Sequence, residues 1–171
     1  MSLIDSKKVA GIIADAGGRV VGRTRLQKVA YLLTVTGMES GFSFGYKHYG
    51  PYSEDLASAT RLGDLMGDLH EAEHTTTWGG SYSIFTAEPV NDAPGDINRR
   101  TFAAVAAEAD AVELELAATA VFLSKEGYTD PWQETARRKP EKVENGRLER
   151  AKELLVKLSG IPAPDSLPDI V

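Results

Sequence analysis

Residues 46–56 read YKHYGPYSEDL, and the turn within this stretch sets the direction of the helix that follows it. Pro51 fixes its own backbone φ and biases Gly50 away from the helical region, which predicts a rigid turn over residues 49–52. Ser53 is a good N-cap, and the two acidic residues after it suit the positive end of a helix. We therefore predict a tight turn that aims a helix beginning after Ser53.

Apolar residues recur at helical spacing on both sides of this turn. Residues 3–16 predict a first helix, which the glycine pair that follows would stop. Thr24 and Gln27 fit a capping box, so a second helix is predicted from Thr24 to about Thr36. The helix after the turn carries an apolar stripe, which predicts a buried face. The stripe consists of Leu56, Ala59, Leu62, Leu65, Met66 and Leu69.

A β-hairpin is predicted after the third helix. Residues 75–85, TTTWGGSYSIF, place Gly79-Gly80 between two β-prone runs, and a two-residue Gly-Gly loop is a strong hairpin signal. Residues 42–48 alternate apolar with polar or small side chains, which suits an extended segment, and residues 19–22 form a short extended piece at most. The order helix, helix, helix, hairpin over residues 1–88 is typical of a winged helix-turn-helix domain.

The second half of the chain is predicted to be helical. Its helices form an extension over residues 99–160 that packs on the winged-helix-like part, so the fold class is mainly α (α+β), in one compact domain. The predicted segments are a polar linker over residues 89–98, a long Ala-rich helix over Arg99–Lys125, a short helix over Pro131–Arg138, an amphipathic helix over Glu141–Leu158 and a loose tail over residues 161–171.

The composition narrows the classes of protein that fit the sequence. The chain has 171 residues, a formal net charge of −6 and no cysteine, which excludes disulfides, thiolate zinc sites and cysteine nucleophiles. No apolar run approaches the roughly 20 residues of a membrane span, and the first residues lack a secretory signal. We therefore expect a cytoplasmic protein with no membrane partner. An acidic chain also gains nothing from phosphate attraction unless it segregates a basic patch.

Residues 70–74, HEAEH, match the H-E-x-x-H signature, in which two histidines on one helix hold zinc and the glutamate acts as general base. If the third helix continued through them, Glu73 would lie on its buried face without a partner. We expect instead that the helix ends near His70 or Glu71 and that His74 begins the hairpin strand. A small zinc metalloprotease stays a remote alternative, and we predict no catalytic residue, metal or cofactor.

Two stretches resemble a known group of bacterial proteins. Residues 22–33, GRTRLQKVAYLL, followed by the YGPYS turn of residues 49–53, are similar to the YwgA-like proteins and, more loosely, to the Panacea-domain proteins. Residues 114–123, LELAATAVFL, and Lys139-Pro140 extend the resemblance over most of the chain. Panacea-domain proteins are small and often phage- or toxin-associated, and several are antitoxins that neutralise a toxin by direct contact. The resemblance therefore implies a protein partner, with a cognate toxin as the example.

These stretches also contain the candidate site. Most of the motif is structural, because Leu26 belongs to the core and Gln27 caps its helix, while Gly50, Pro51 and Ser53 build the turn. Exposed aromatic side chains at a turn are good anchors for a protein partner, and three basic residues nearby are expected to form a small patch. The predicted partner-binding residues are Tyr46, His48, Tyr49, Tyr52, Arg23, Arg25 and Lys28.

A winged-helix order makes DNA binding the obvious rival. The third helix would read the DNA, but its charged residues are four acids and one base, Arg61, and the wing at residues 75–81 contains no Lys or Arg. We therefore predict a non-enzymatic protein-interaction module of antitoxin-like or phage/defence-associated type, with a winged-helix transcriptional regulator as the alternative. The Ala-rich helix permits close packing within the chain or in a homodimer.

Overall fold

The computed structural model describes residues 3–89 and 96–171, which form seven helices and five strands. The predicted linker over residues 89–98 falls mostly on residues 90–95, outside the described ranges. In chain order the elements are α1 (Leu3–Asp15), β1 (Arg19–Val21), α2 (Arg23–Val35), β2 (Gly45–Lys47), β3 (Gly50–Tyr52), α3 (Glu54–Met66), β4 (His70–Thr75), β5 (Ser81–Thr86), α4 (Ile97–Glu108), α5 (Ala111–Lys125), α6 (Pro131–Arg138) and α7 (Arg147–Ser159).

The first eight elements, α1 to β5, confirm the winged-helix-like fold. Strand β1 lies between α1 and α2 and pairs antiparallel with β5, which in turn pairs with β4, so the sheet order is β1-β5-β4. The predicted turn over residues 49–52 is wrong in its bounds: Gly50–Tyr52 form strand β3, which pairs antiparallel with β2 so that Tyr46 lies opposite Pro51, and the chain reverses at residues 48–49. In the β4–β5 wing, Thr75 pairs with Ser81, so the loop covers residues 76–80 and is longer than the predicted Gly-Gly loop.

Helix α2 begins without the predicted capping box. Its N-cap is Gly22, which makes no side-chain cap bond, and the helix already includes Arg23. Thr24 is therefore not the N-cap. Gln27 is unable to serve a capping box because its amide bonds to the backbone of Ser53 instead. Sequence spacing suggested a local partner for Gln27, whereas the structure gives it a distant one.

Helix α3 starts as predicted, and Leu56, Ala59 and Leu69 of the predicted apolar stripe are buried. Ser53 Oγ accepts a hydrogen bond from the Leu56 backbone N–H at 3.1 Å, which confirms Ser53 as N-cap. Leu65 is 81% exposed and Met66 is 54% exposed, so the predicted apolar stripe is wrong at these positions. A Cβ at Gly63 would lie 2.7 Å from Leu69 Cδ2, so the bare glycine surface is where Leu69 packs. The buried residues of the helix are Leu56, Ala59, Thr60 and Gly63.

The predicted long helix over Arg99–Lys125 is two helices. Asp110 lies between them and caps α5, because its carboxylate accepts hydrogen bonds from the backbone N–H groups of Val112 and Glu113. Ala109 is extended, with φ −65° and ψ 156°. An Asp in an Ala-rich segment is either the N-cap of a new helix or a solvated side chain within one helix, and the sequence pattern did not distinguish these two roles. The last helix, α7, begins at Arg147, later than the predicted Glu141.

Helix α5 is the central element of the molecule. It packs against α2, α6, α7 and β3, and it is apolar on nearly all sides. The core is one cluster that draws residues from both halves of the chain, including Leu33 of α2 and Leu116 of α5. The helices after residue 96 are therefore part of the same hydrophobic core. No helix within residues 3–89 and 96–171 is both long and apolar enough to span a membrane.

The tail over residues 161–171 is not loose, as the sequence had predicted. The Asp165 backbone N–H donates to Thr36 O at 3.0 Å, and Trp132 Nε1 donates to Ile170 O at 2.7 Å. Leu167 is buried, and Ile161 and Ile170 pack against the core. These hydrogen bonds and apolar contacts hold the tail against the C-terminal end of α2 and against α6.

A pair of glycine substitutions tests how tightly the β2–β3 hairpin is packed on α5. Gly50 has φ +92°, and a Cβ there would collide with the Thr119 side chain of α5. Gly79 has a similar φ of +89° and no atom within 4 Å of its Cβ position. Both alanine variants carry about 1–2 kcal/mol of left-handed strain. We expect Gly50→Ala to lose a further ~1–3 kcal/mol of unfolding free energy in urea denaturation. Equal losses would show that Thr119 moves aside freely.

Candidate functional site

The side chain of Gln27 fixes the start of α3. Its Nε2 donates to Ser53 O at 3.0 Å, and its Oε1 accepts from Ser53 N at 2.9 Å. Both bonds are buried, and the amide thus satisfies both backbone groups of one residue, much as a neighbouring strand would. The L-Q-K and Y-G-P-Y-S segments of the sequence are therefore joined directly in the folded chain.

Lys28, the next residue, bonds to strand β3 of the hairpin from the core side. Its Nζ donates to Pro51 O at 2.8 Å, and the side chain is only 1% exposed. Burial lowers the pKa of Lys28 to about 7, opposed by the charge of Glu115 and reinforced by the charges of Lys139 and Lys142. The ammonium is kept beneath the hairpin at an electrostatic cost.

Glu115, on α5, binds the end of α6 beneath the β2–β3 hairpin. Its Oε2 accepts from Lys139 Nζ at 3.0 Å and from Lys142 Nζ at 2.6 Å. Lys139 Nζ also donates to His48 O at 3.0 Å, so a second lysine is bonded to the hairpin backbone. We call Gln27, Lys28, Glu115 and Lys139 the buried clasp. Sequence reasoning missed its second half, although a lone Glu in the apolar run of α5 was a signal.

The four aromatic and imidazole residues predicted for partner binding all lie on or beside the β2–β3 hairpin. Tyr46 is 37% exposed and Tyr49 is 57% exposed, His48 is exposed, and Tyr52 is half-buried. The hairpin lies over the buried clasp, so these side chains stand on a backbone that is bonded from α2 and α6. The structure thus gathers them on one rigid element.

Cations from other elements lie against these rings. The Arg138 guanidinium is 4.8 Å from the ring centroid of Tyr46 and 5.4 Å from that of Tyr128. Lys142 Nζ lies 4.8 Å from the Tyr49 centroid, and such contacts contribute about 0.5–1 kcal/mol each at exposed sites. Lys47 Nζ is 4.9 Å from the Tyr52 centroid. We call this set the aromatic–cation surface: Tyr46, Tyr49, Tyr52, Tyr128, Lys47, Arg138 and Lys142.

The ion pairs at and beneath this surface contain more cations than carboxylates, although the chain is acidic. Glu134 pairs with Arg137 at 2.5 Å and with Arg138 at 2.8 Å, and their hydrogen bonds hold the pKa of the Glu134 carboxyl at about 2. Lys47 pairs with Glu54 at 2.5 Å. Five cations thus face three carboxylates: Lys47, Arg137, Arg138, Lys139 and Lys142 against Glu54, Glu115 and Glu134.

The predicted basic patch of Arg23, Arg25 and Lys28 does not form. Arg25 is part-buried and donates to the carbonyl oxygens of Ala107, at 2.8 Å, and of Ala109. Arg23 pairs with Glu71 at 2.8 Å, and Lys28 is buried in the clasp. The physical reason is the 100° advance per residue of a helix, which sends these three side chains in different directions.

The HEAEH stretch lies in strand β4, which begins at His70 and not at His74. Alternation along a strand puts both histidines on one face and Glu71 on the other. Glu71 is occupied with Arg23 and with Ser83, whose Oγ donates to it at 2.6 Å. Within the described ranges, no group of three His, Asp or Glu side chains is placed to hold a metal ion.

Fold and site together define an α+β, winged-helix-like domain with an aromatic hairpin inserted between its second and third helices. No protein-family model matches the chain, and no curated protein matches it. The resemblance of residues 22–33 and 49–53 to the YwgA-like and Panacea-domain proteins therefore stays a prediction.

The buried Lys28 predicts a pH dependence of stability. Its pKa is about 7 in the folded chain against an ordinary value of 10.5, so between these values the unfolded chain binds a proton that the folded chain has released. Stability should therefore rise with pH from about 7 upward, by at most ~1.4 kcal/mol per pH unit. We expect Lys28→Met to flatten this rise in urea denaturation at pH 7, 8 and 9.

The exposed Lys157 supplies the matched control, since Lys157→Met should keep the slope of the parent chain. An unchanged slope in Lys28→Met would show that Lys28 is not the group that titrates.

Proposed function

We propose that this chain is a non-enzymatic protein-interaction module that binds a partner protein through the aromatic–cation surface. The observation that carries the proposal is the pair of exposed tyrosines, Tyr46 and Tyr49, on a hairpin whose backbone accepts hydrogen bonds from two buried lysines. Tyrosine is enriched among the residues that dominate binding energy at protein interfaces.

Rigidity is the second support for the proposal. Ordering a flexible side chain on binding costs about 0.5–1.5 kcal/mol, and a surface that is already ordered avoids this cost. Arg138 holds Tyr46 and Tyr128, Lys142 holds Tyr49, and the buried clasp holds the backbone below them. The local excess of positive charge favours an acidic segment on the partner.

A winged-helix DNA regulator is the alternative, and its support is the topology alone. The exposed acids Glu54, Asp55 and Asp64 lie on α3, the helix that would enter the major groove. Arg23, beside it, is already paired with Glu71. Phosphates approaching this face meet more negative than positive charge, which disfavours the complex.

The kind of partner we propose follows from the sequence resemblance. An antitoxin-like or phage/defence-associated module would act in the cytoplasm by direct contact with a toxin protein. A toxin with an acidic segment would suit the aromatic–cation surface. A homodimer is a second arrangement for the same chain, and the oligomeric state measured during purification separates the two.

The test uses one variant at the surface and one away from it. Affinity purification of the full chain identifies the retained protein, and calorimetry with the purified partner then gives the dissociation constant. We expect Tyr49→Ala to weaken binding about 10- to 100-fold, as for loss of a central tyrosine anchor. Tyr82→Ala, which removes an exposed tyrosine from the wing, should bind as the parent chain does.

Two results would contradict the proposal. One is a partner that binds Tyr49→Ala as tightly as the parent chain while Tyr82→Ala loses binding. The other is a tight, sequence-specific DNA complex with a steep salt dependence that is lost on changing exposed residues of α3.

A further inference from the structure

A cavity of about 190 Å³ opens between α2, α3 and the β4–β5 wing. Its apolar wall consists of Leu26, Ala57 and Phe85. Polar side chains line the rest, among them Arg23, Arg61 and Glu71, and the ring of Tyr52 forms one side. The cavity is smaller than the roughly 300–1,000 Å³ that holds drug-sized ligands, so it fits a molecule of about one ring.

The cavity is lined by two guanidinium groups, those of Arg23 and Arg61, and by one carboxylate, that of Glu71. Glu71 Oε2 accepts from Arg23 Nε at 3.1 Å, from Arg23 Nη2 at 2.8 Å and from Ser83 Oγ at 2.6 Å. The Ser83 and Arg23 bonds outweigh burial and lower the pKa of Glu71, which stays ionised and paired. Arg61 donates to Ser58 Oγ at 3.1 Å and forms no ion pair with any of the described residues. One guanidinium is therefore in excess.

We propose that this cavity is a binding site for a small carboxylic acid whose apolar body is about the size of one ring. The carboxylate pairs with Arg61, whose planar guanidinium matches two carboxylate oxygens. The apolar body lies against Leu26 and Phe85, which are buried and present no polar atom. A cation is disfavoured because Arg23 and Ser83 already occupy the carboxylate that would receive it.

The site is separate from the aromatic–cation surface, and the inference does not rest on the proposed function. Tyr52 is the one residue that touches both. A ligand of this chemistry has two sources, a free acid or the C-terminal carboxylate of a peptide that ends in an apolar residue. The shared feature is a carboxylate on a compact apolar group.

The experiment compares three probes with the same ring and different charge: benzoate, benzamide and benzamidine. Each is titrated into the full chain, and backbone amide shifts are followed by two-dimensional NMR. We expect saturable shifts for benzoate at residues 23–27, 57–61 and 71, with Kd on the order of 1 mM, and at least tenfold weaker binding of the other two probes. Arg61→Gln should weaken benzoate binding about tenfold or more.

The control variant is Arg100→Gln, which removes an exposed arginine from α4 and should bind benzoate as the parent chain does. Tyr49→Ala should also bind benzoate normally, so failure of the proposed function and failure of this inference are distinguishable. Preferential binding of benzamidine, or benzoate binding that Arg61→Gln leaves unchanged, overturns the proposal.

A fourth arm separates the two ligand sources. An acetylated tripeptide ending in phenylalanine is tested with a free carboxylate and with a terminal amide. Tighter binding of the free-carboxylate peptide than of benzoate supports a peptide C-terminus as the ligand. Exclusion of both peptides together with benzoate binding supports a free acid.

Discussion

The two hydrogen bonds between the amide of Gln27 and the backbone of Ser53 are the constraint on which the rest of the structure depends. They are buried, so losing either bond leaves a polar group unpaired at a cost of about 1–3 kcal/mol. Ser53 is also the N-cap of α3, so the same residue fixes where that helix starts and in which direction it runs. The β2–β3 hairpin ends there too, and its close contact with Thr119 fixes α5 against it.

Three lysines lie beneath the hairpin, and placing their charges there has an electrostatic cost. Lys139 and Lys142 pair with the single carboxylate of Glu115, whose charge also acts on the buried Lys28, and buried charge in this proportion is costly. A lysine side chain is long enough to pass through the core and to donate a hydrogen bond to a hairpin carbonyl that has no strand partner. Pro51 O and His48 O are bonded in this way. The hairpin is thereby held from below while its tyrosines stay at the surface.

The sequence predicted what is local and failed where distant residues decide. Helix α6 was predicted with its observed bounds, because Pro131 and the basic last turn mark its two ends. The aromatic residues of the hairpin were found because they are adjacent in the chain, whereas Arg138 and Lys142 come from a segment that spacing cannot relate to them. Burial of the α3 face depends on the bare surface of Gly63. Docking of the tail depends on partners at the end of α2 and in α6. Hydrophobic periodicity encodes neither of these contacts.

The L-Q-K segment links the two proposed sites. Leu26 and Gln27 line the cavity, while Gln27 and Lys28 hold the turn that carries the tyrosines. Tyr52 also lines the cavity, and the next residue, Ser53, is bonded to the side-chain amide of Gln27. The two sites therefore share the Gln27–Ser53 bonds, and Tyr52 belongs to both. A change at Gln27 disturbs both sites, whereas a change at the exposed Tyr49 or Arg61 disturbs one, because it leaves the Gln27–Ser53 bonds intact.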